Sequence, residues 1–427
     1  MLALGLTLWA AVSLVSCGGG GKKIPPSGLK TRVLASQGVT ATFSFGGLII
    51  IDGWNDTIPR LQHLSAGNSP GLMAISPTRN VVAAFDANAN TVYGIDTTKE
   101  TAIGNVRLAG PTTSMVVPTS VATGYAAVPT ATVQGFAFLG AVEAMNFTAG
   151  SLTAIAVTQA QTVASNSDGS QLLVFSNDSD SMTVLNPGVA VPPLDTSCYT
   201  NPPNAVCRII PGFDRPVNAI VNGNTAYVLN CGPQCGGKQA SVMVFNLSTL
   251  SITQTIPVDA ATMALLNNST LYVAGTSPTN NACAGQTTQA ATCGRLDIVD
   301  LTSGKVTGRV AITDGYHQRM DLTTNGQIFI GSINCTNIGD SNNPVGEVRG
   351  CLTIYNVGTG ALIFPPDNGN VNGLQGFVQR DVEYVAEGGF LRVYDTTKDI
   401  LLINDFVPQG TIEIVGYVGD VKAIDFF

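Results

Sequence analysis

The chain from residue 32 onward repeats one pattern of short apolar runs separated by polar turn residues. The clearest copy, residues 271–312, contains the runs LYVAG, RLDIVD and GRVAI, and the run ATMALL lies just ahead of it. Runs of this length, bounded by Gly, Asn, Ser or Thr, predict β-strands. Each unit therefore predicts four strands. Because a four-stranded antiparallel sheet cannot cover both of its faces alone, such units must stack, either in a row or in a ring.

One run in each unit predicts the innermost strand of its sheet. This run is apolar and often has a small residue in its middle. Eight such runs begin at Gly71, Ser114, Leu152, Val217, Thr262, Arg319, Gly373 and Val421. The sequence therefore predicts eight units. The unit at 114–150 is the shortest and least regular, and the count falls to seven if this unit is an excursion from its neighbour.

The two ends of the chain complement each other. Residues 32–35, 48–52 and 60–64 predict the second, third and fourth strands of a sheet that lacks an innermost strand. Residues 421–426 predict an innermost strand with nothing after it. We expect the last strand to complete the first sheet and close the array into a ring, which removes exposed sheet edges. An open array would instead need terminal units with a polar outer face.

Several of these runs resemble a known repeat. The segments AYVLN at Ala226, LYVAG at Leu271 and EYVAE at Glu383, with LDIVDLTSGKV and LRVYDTTKD, resemble the YVTN-type β-propeller repeat of secreted bacterial and archaeal proteins. The resemblance extends from about Arg32 to the end of the chain. It implies an all-β fold in which residues 31–427 form a single closed β-propeller of four-stranded blades. It implies no particular activity, because a fold of this kind hosts many functions.

The amino terminus resembles a bacterial lipoprotein signal. Residues 2–15 are apolar but too short to span a bilayer, and they end in Leu14-Val15-Ser16-Cys17, which resembles a lipobox. We expect a signal peptide at 1–16, a lipid on Cys17 and a flexible tether at 17–30. Gly18 after the cysteine is typical of lipoproteins sent to the outer membrane. An ordinary secretory signal with an incidental cysteine is the alternative.

Cysteine usage indicates an oxidising compartment. Beyond Cys17 the cysteines are even in number and fall into four close pairs, and we expect each pair to form a local disulfide. A zinc site is the alternative, but the chain has no CxxC pair and only two His. The expected pairs are Cys198 with Cys207, Cys231 with Cys235, Cys283 with Cys293, and Cys335 with Cys351. The last three pairs lie in or at the base of loops between second and third strands.

Composition and motifs limit the function classes. The chain has 28 Asp and Glu against 20 Lys and Arg and carries no basic stripe, so nucleic acid is not expected as a partner. No serine-hydrolase, zinc-protease or phosphate-loop motif is present. Acidic runs such as 177–180 have oxygen ligands suited to calcium but are typical of tight turns. The sequence predicts no cofactor and no metal site.

The mouth of the predicted central channel is the candidate ligand site. Connections that lead into the innermost strands bring polar side chains to the face that carries the loops between second and third strands. The candidate ligand contacts are Asp214, Arg215, Asp314, Tyr316, His317 and Arg319, with Asp420 nearby.

Two functions are compatible with these residues. The first is a monomeric, lipid-anchored module of the cell envelope that binds a protein, a glycan or a small ligand through its disulfide-stapled loop face. The second is a propeller enzyme of the oxidoreductase, lyase or lactonase type, in which His317 acts as acid or base beside Asp314 and Arg319.

Overall fold

The computed structural model describes residues 25–59, 63–119, 121–187, 207–276, 294–335, 350–365, 369–377 and 379–425. The predicted signal peptide and Cys17 lie outside these residues. Nearly all described elements are strands, joined by turns in which Gly, Asn and Asp adopt the positive φ that these residues tolerate. No helix in the described part of the chain is long and apolar enough to cross a membrane.

The described part of the first half of the chain contains fifteen strands. In chain order they are β1 (Arg32–Gln37), β2 (Gly47–Asp52), β3 (His63–Leu64), β4 (Pro70–Ile75), β5 (Val81–Asp86), β6 (Thr91–Asp96), β7 (Thr101–Arg107), β8 (Ser114–Val116), β9 (Thr123–Thr132), β10 (Leu139–Asn146), β11 (Ser151–Ala156), β12 (Ala160–Ser165), β13 (Leu172–Ser176), β14 (Ser181–Leu185) and β15 (Cys207–Pro211).

The strands of the second half continue the same pattern to the end. They are β16 (Pro216–Asn222), β17 (Thr225–Asn230), β18 (Ser241–Asn246), β19 (Ser251–Pro257), β20 (Met263–Asn267), β21 (Thr270–Thr276), β22 (Gly294–Asp300), β23 (Lys305–Ile312), β24 (Tyr316–Leu322), β25 (Gln327–Ile333), β26 (Leu352–Asn356), β27 (Leu362–Ile363), β28 (Val371–Phe377), β29 (Val382–Glu387), β30 (Phe390–Asp395), β31 (Ile400–Leu401), β32 (Thr411–Ile412) and β33 (Val421–Ala423).

These strands form eight antiparallel sheets, seven with four strands and one with five. The innermost strands are β33, β4, β8, β12, β16, β20, β24 and β28, and each packs beside the innermost strands of the two neighbouring sheets. Since this series returns to its starting point, the sheets form a ring around a central channel. Eight blades are therefore present, and the seven-blade alternative is wrong.

The last strand closes the ring, as the sequence predicts. Strand β33 pairs antiparallel with β1, with Ala423 opposite Val33 and Val421 opposite Ala35. The pairing continues at both ends, where the Ser36 amide donates to the Asp420 carbonyl and the Ile424 amide donates to the Arg32 carbonyl. One blade thus contains strands from the two ends of the chain.

The hydrophobic core lies between adjacent blades rather than within one layer. Strands such as β5 and β29 are buried along their whole length, because both faces of their sheets pack against neighbouring blades. One such cluster joins Val33 and Ile51 of the closing blade to Tyr384 and Val393 of the preceding blade. Burial on both faces explains why these strands are continuous apolar runs rather than alternating ones.

One predicted innermost strand is wrong. The run at Leu152 belongs to β11, which is the outermost strand of the third sheet, and the innermost strand of the next sheet is β12. The first half of β11 is exposed, as expected at the outer edge of a blade. The unit beginning at Ser114 is therefore not a shortened one. Its strands β9 and β10 have ten and eight residues, among the longest described.

The ring has two faces. The loop face carries the connections between second and third strands and those that lead from one blade to the next. The opposite face carries the turns that join each innermost strand to its second strand, and residues 25–31 enter β1 from this side. His63, on the short outer strand β3, is exposed.

Candidate functional site

A cavity of about 530 Å³ occupies the loop-face end of the channel. Its wall consists of the first residues of the innermost strands β8, β12, β16, β20 and β24, with parts of β13 and β25 behind them. Val217, Met263 and Ile333 supply apolar surface to the cavity. The Ser, Thr, Asn and Gln residues that line it are Thr113, Ser114, Gln161, Thr162, Ser176, Asn177, Asn218, Thr262 and Gln318.

Arg319 supplies a positive charge to this cavity. Its Nε donates to the Asn372 carbonyl at 2.8 Å, and its Nη1 donates to the Gln318 carbonyl at 3.0 Å. The side chain is half-buried, and among the described residues no carboxylate lies within ion-pair distance of it. Neutral carbonyls orient the guanidinium but do not balance its charge. The remaining N–H groups of a guanidinium, which has five donors, are suited to a carboxylate or another anion.

Arg215 contributes a second cation, whose side chain is 25% exposed. Its guanidinium lies 4.0 Å from Asp178 and 3.8 Å from Asp180, whose side chains are 84% and 67% exposed. Ion pairs this long with solvated carboxylates are weak. The residue has a φ of 56°, and its amide donates to Asp180 Oδ1 at 3.3 Å. Arg215 can therefore turn toward an anion in the cavity at little cost.

Tyr316 lies at the rim and His317 behind the wall. Tyr316 is 39% exposed and offers an aromatic face and a hydroxyl to the mouth of the cavity. His317 borders the cavity but has no accessible surface. Its Nε2 donates to the Thr313 carbonyl at 2.9 Å, and Nδ1 has no hydrogen-bond partner.

Burial keeps the His317 ring neutral. Loss of solvation lowers the pKa of His317 to about 4, with the hydrogen bond to Thr313 opposing this effect. Gly294 faces the ring so closely that an added Cβ would lie 2.9 Å from its Cε1. The ring is thus enclosed by protein on the side away from the channel, and its position offers no ring nitrogen to a ligand.

The three candidate aspartates stabilise the structure around the cavity. Asp214 accepts hydrogen bonds from the amides of Lys238 and Gln239, the latter at 2.7 Å, and so holds the loop that contains the Cys231 disulfide. Asp314 is buried, and its carbonyl accepts a hydrogen bond from Ser332. Asp420 is buried and accepts hydrogen bonds from the Met73 amide and from Lys422 Nζ, each at 2.8 Å. None of these three lines the cavity.

Two of the expected disulfides are within the described residues. Cys231 is bonded to Cys235 and Cys335 to Cys351, each with a Cα–Cα distance of 5.6 Å. Cys207 is also disulfide-bonded, but Cys198 lies outside the described residues, as do Cys283 and Cys293. Cys235 borders the cavity, so the short 3₁₀ turn Gly232–Cys235 forms part of its wall.

Gln234 ties this turn to the neighbouring blades. Its Nε2 donates to the Gly315 carbonyl at 3.3 Å, and its Oε1 accepts from the Thr276 amide at 2.8 Å. The disulfide therefore fixes a turn that spans from one blade toward the start of β24, the strand that carries Arg319.

A cluster of ionisable side chains lies at the other end of the channel. No sequence motif predicts it. Asp321 and Glu383 lie on either side of Gly376, where an added Cβ would be 2.9 Å from Glu383 Oε2 and 3.4 Å from Asp321 Oδ2. Burial raises the pKa of both carboxyls, and that of Glu383 lies well above its ordinary value. Arg79 borders the small cavity of about 120 Å³ beside Asp321, and burial lowers its pKa to about 10.

No group of three or more His, Cys, Asp or Glu in the described ranges is arranged to hold a metal ion. Within the loop-face cavity the chemistry available is hydrogen bonding by hydroxyls and amides together with positive charge from two guanidiniums, against the one solvated carboxylate of Asp178 at the rim. This arrangement can bind a polar anion.

Comparisons with known proteins identify the architecture. No family model and no curated protein matches the chain. Among solved structures, the dihydro-heme d1 dehydrogenase NirN in complex with DHE is 12% identical over 93% of this chain and 75% of that chain, with a TM-score of 0.61. The Dos1 propeller is 10% identical over 82% of this chain and 85% of that chain, with a TM-score of 0.57.

At these identities the likeness concerns the fold alone. Together with the closed ring of eight sheets, it defines the chain as an eight-bladed β-propeller.

Proposed function

We propose that the protein is a cell-envelope binding module that takes a small anionic, hydroxylated ligand in its loop-face cavity. The observation that carries this proposal is the half-buried guanidinium of Arg319, which faces a cavity of about 530 Å³ without a carboxylate partner among the described residues. Removal of a charge from water is costly unless an opposite charge compensates it. A bound anion would supply that compensation.

The lining of the cavity indicates the class of ligand. Five Ser or Thr hydroxyls and four side-chain amides can hydrogen-bond to a hydroxylated molecule, and the size of the cavity suits a mono- or disaccharide rather than a macromolecule. A sugar acid combines both requirements, since its carboxylate pairs with arginine and its hydroxyls pair with the polar wall. A glycan that ends in such a sugar is the ligand class that we favour.

The same proposal includes the location of the protein. The lipobox at Leu14-Val15-Ser16-Cys17 supports a lipid anchor in the cell envelope, with the outer membrane favoured by Gly18, and the strand runs support a YVTN-type repeat. Residues 25–31 enter the ring from the opposite face. An anchor on this side would turn the loop face and its cavity toward ligands in the surrounding space, and the protein would act as a monomer.

Replacement of Arg319 tests the proposal. We expect purified protein to bind D-glucuronate more tightly than D-glucose, as measured by calorimetry, because only the acid provides a counter-charge. In Arg319→Gln the affinity for glucuronate should fall about tenfold or more, the loss expected for one charged hydrogen-bonded pair. Arg107→Gln, on the exposed end of outer strand β7, is the matched control and should bind as the wild type does. Equal binding of acid and neutral sugar, or an unchanged affinity in Arg319→Gln, would contradict the proposal.

A further inference from the structure

We propose that a patch on the opposite face of the propeller rests in the interfacial region of a lipid bilayer. The patch, here called the Trp54 surface, consists of Leu29, Lys30, Trp54, Ile58 and Gln379. This inference deepens the proposed membrane anchoring and rests on it. It assigns a second interaction surface, directed toward the membrane, to a protein whose ligand cavity lies on the other face.

The Trp54 surface exposes apolar and aromatic groups beside a concavity. Trp54 is 57% exposed and Ile58 is 39% exposed. A shallow pocket of about 540 Å³ lies between Trp54, Leu29 and Gln379. Tryptophan is enriched where proteins meet the headgroup region of membranes, because its ring is apolar and its N–H can still hydrogen-bond.

Hydrogen bonds fix Trp54 in this exposed position. Asp52 Oδ1 accepts from the Trp54 amide at 2.9 Å, and Asp52 Oδ2 accepts from the Asn55 side chain at 2.8 Å. The turn that carries Trp54 is thereby held in one conformation, so that the indole is presented to solvent without a loss of loop entropy on binding.

Lysines near Trp54 offer attraction to an anionic bilayer, against the one carboxylate, Asp52, that lines the pocket. Asp56 is paired with Arg380 through two contacts of 2.7 Å, which neutralises its charge. Lys30 is exposed and has no acidic partner among the described residues. The sequence adds Lys22 and Lys23 just upstream. Lysines close to a bilayer are attracted by anionic headgroups at about 1 kcal/mol each.

The number of residues between Cys17 and the Trp54 surface limits how far this surface can lie from a lipid on Cys17. Seven residues lie between Cys17 and Pro25, and the eight Cα–Cα steps that join the two span about 27 Å when fully extended. The pocket is lined by residues 28–31, immediately after this segment. A lipid on Cys17 would therefore hold the Trp54 surface within reach of the headgroups at a high effective concentration, so that a weak surface affinity suffices.

Fluorescence of Trp54 tests the inference, since Trp9 and Trp54 are the two tryptophans of the chain. The protein from Gly18 onward, with an N-terminal polyhistidine tag, would be tethered to phosphatidylethanolamine and phosphatidylglycerol vesicles that contain a nickel-chelating lipid. Its emission then comes from Trp54 alone. We expect the emission to shift to shorter wavelength on tethering, and to be quenched when lipids brominated near the headgroup are included.

A matched control moves the single tryptophan to the loop face. The double variant Trp54→Ser with Phe45→Trp places the indole at a side chain that is 71% exposed on that face, and its emission should neither shift nor be quenched. An unchanged emission of Trp54 on tethered protein, or equal quenching at both positions, would overturn the inference.

Because the tag replaces natural lipidation, the fluorescence experiment tests the Trp54 surface independently of the lipid anchor on Cys17. Natural anchoring is checked by fractionation of cells that express Cys17→Ser, which should release the protein from membranes. Retention of that variant would remove the lipid anchor, and a positive fluorescence result would still establish that the Trp54 surface contacts lipid.

Discussion

Replacement of Arg32 by methionine is expected to lower the free energy of unfolding by about 3–5 kcal/mol. The Arg32 side chain is 6% exposed and pairs with Glu100 at 2.8 Å and with Asp425 at 2.8 Å, while its Nη1 also donates to the Thr97 carbonyl. Its removal would leave two carboxylates with little access to water and without the cation that pairs with both of them. Urea denaturation of the purified variant measures the loss.

The effect is large because Arg32 joins three parts of the ring. It lies at the start of β1, and its partners belong to the next blade and to the end of the chain after β33. Lys99→Met is the matched control, because the Lys99 side chain is 75% exposed and its pair with Asp96 is solvated. That change should alter the unfolding free energy by less than about 0.5 kcal/mol. Equal effects of the two substitutions would contradict the account.

Replacement of Glu383 by glutamine is expected to stabilise the protein at pH 8 by about 1–3 kcal/mol, because the folded protein must keep a proton on Glu383 that the unfolded chain releases at this pH. Glu383 has no accessible surface, and neither carboxyl oxygen accepts a hydrogen bond of normal geometry from the described residues. Burial, and then repulsion from Asp321, raise its pKa well above the ordinary value of 4.5. A glutamine of similar shape is neutral at every pH, so it has no charge to bury or to be repelled by Asp321.

The pH dependence follows from the direction of this pKa shift. Above pH 4.5 the unfolded chain releases the Glu383 proton while the folded protein retains it, so the unfolded state binds fewer protons. Stability therefore falls as pH rises toward the folded-state pKa. Denaturation from pH 5 to pH 8 should show this decline in the wild type and a flatter profile in Glu383→Gln. Glu413→Gln, at an exposed carboxyl, should retain the wild-type slope.

The ring could be predicted from the sequence because its strands are buried on both faces and its turns use a small set of residues. The complementary ends at Arg32 and Val421 were sufficient to predict closure, and the structure confirms it. The error at Leu152 has a physical reason. Outer strands such as β11 keep one apolar end, Ile155 and Ala156, for the blade interface, and in sequence they resemble inner strands.

The candidate site was only partly predictable. Arg215, Tyr316 and Arg319 border the cavity because they lie at the start of innermost strands, which the apolar markers located correctly. The aspartates beside them proved to hold loops and strand ends, since a carboxylate next to a turn usually accepts amide hydrogen bonds. Sequence patterns give the position of such a side chain along a strand, but not the direction in which it points.

The buried carboxyl pair could not be predicted for a related reason. Glu383 alternates with apolar residues in VEYVAE, which is typical of a strand with one solvated face. In the ring both faces of β29 are covered, and the glutamate is enclosed against Gly376 and Asp321. Only the packing of neighbouring blades on both faces of β29 shows that this glutamate is buried.

Closure of the ring is the claim on which the channel, its two faces and both binding surfaces depend. Val33 and Ala423 are directly opposite each other, and the bond from the Ile424 amide to the Arg32 carbonyl makes them a non-hydrogen-bonded pair. The Cα atoms of such pairs are about 4.5 Å apart, within the range that a disulfide spans.

Peptide mapping under non-reducing conditions of the double variant Val33→Cys with Ala423→Cys tests closure most directly. We predict a single intramolecular crosslink between positions 33 and 423, with no crosslink when Val33→Cys is combined instead with Ala264→Cys on another blade. Free thiols at 33 and 423 in the folded monomer would contradict the closed ring.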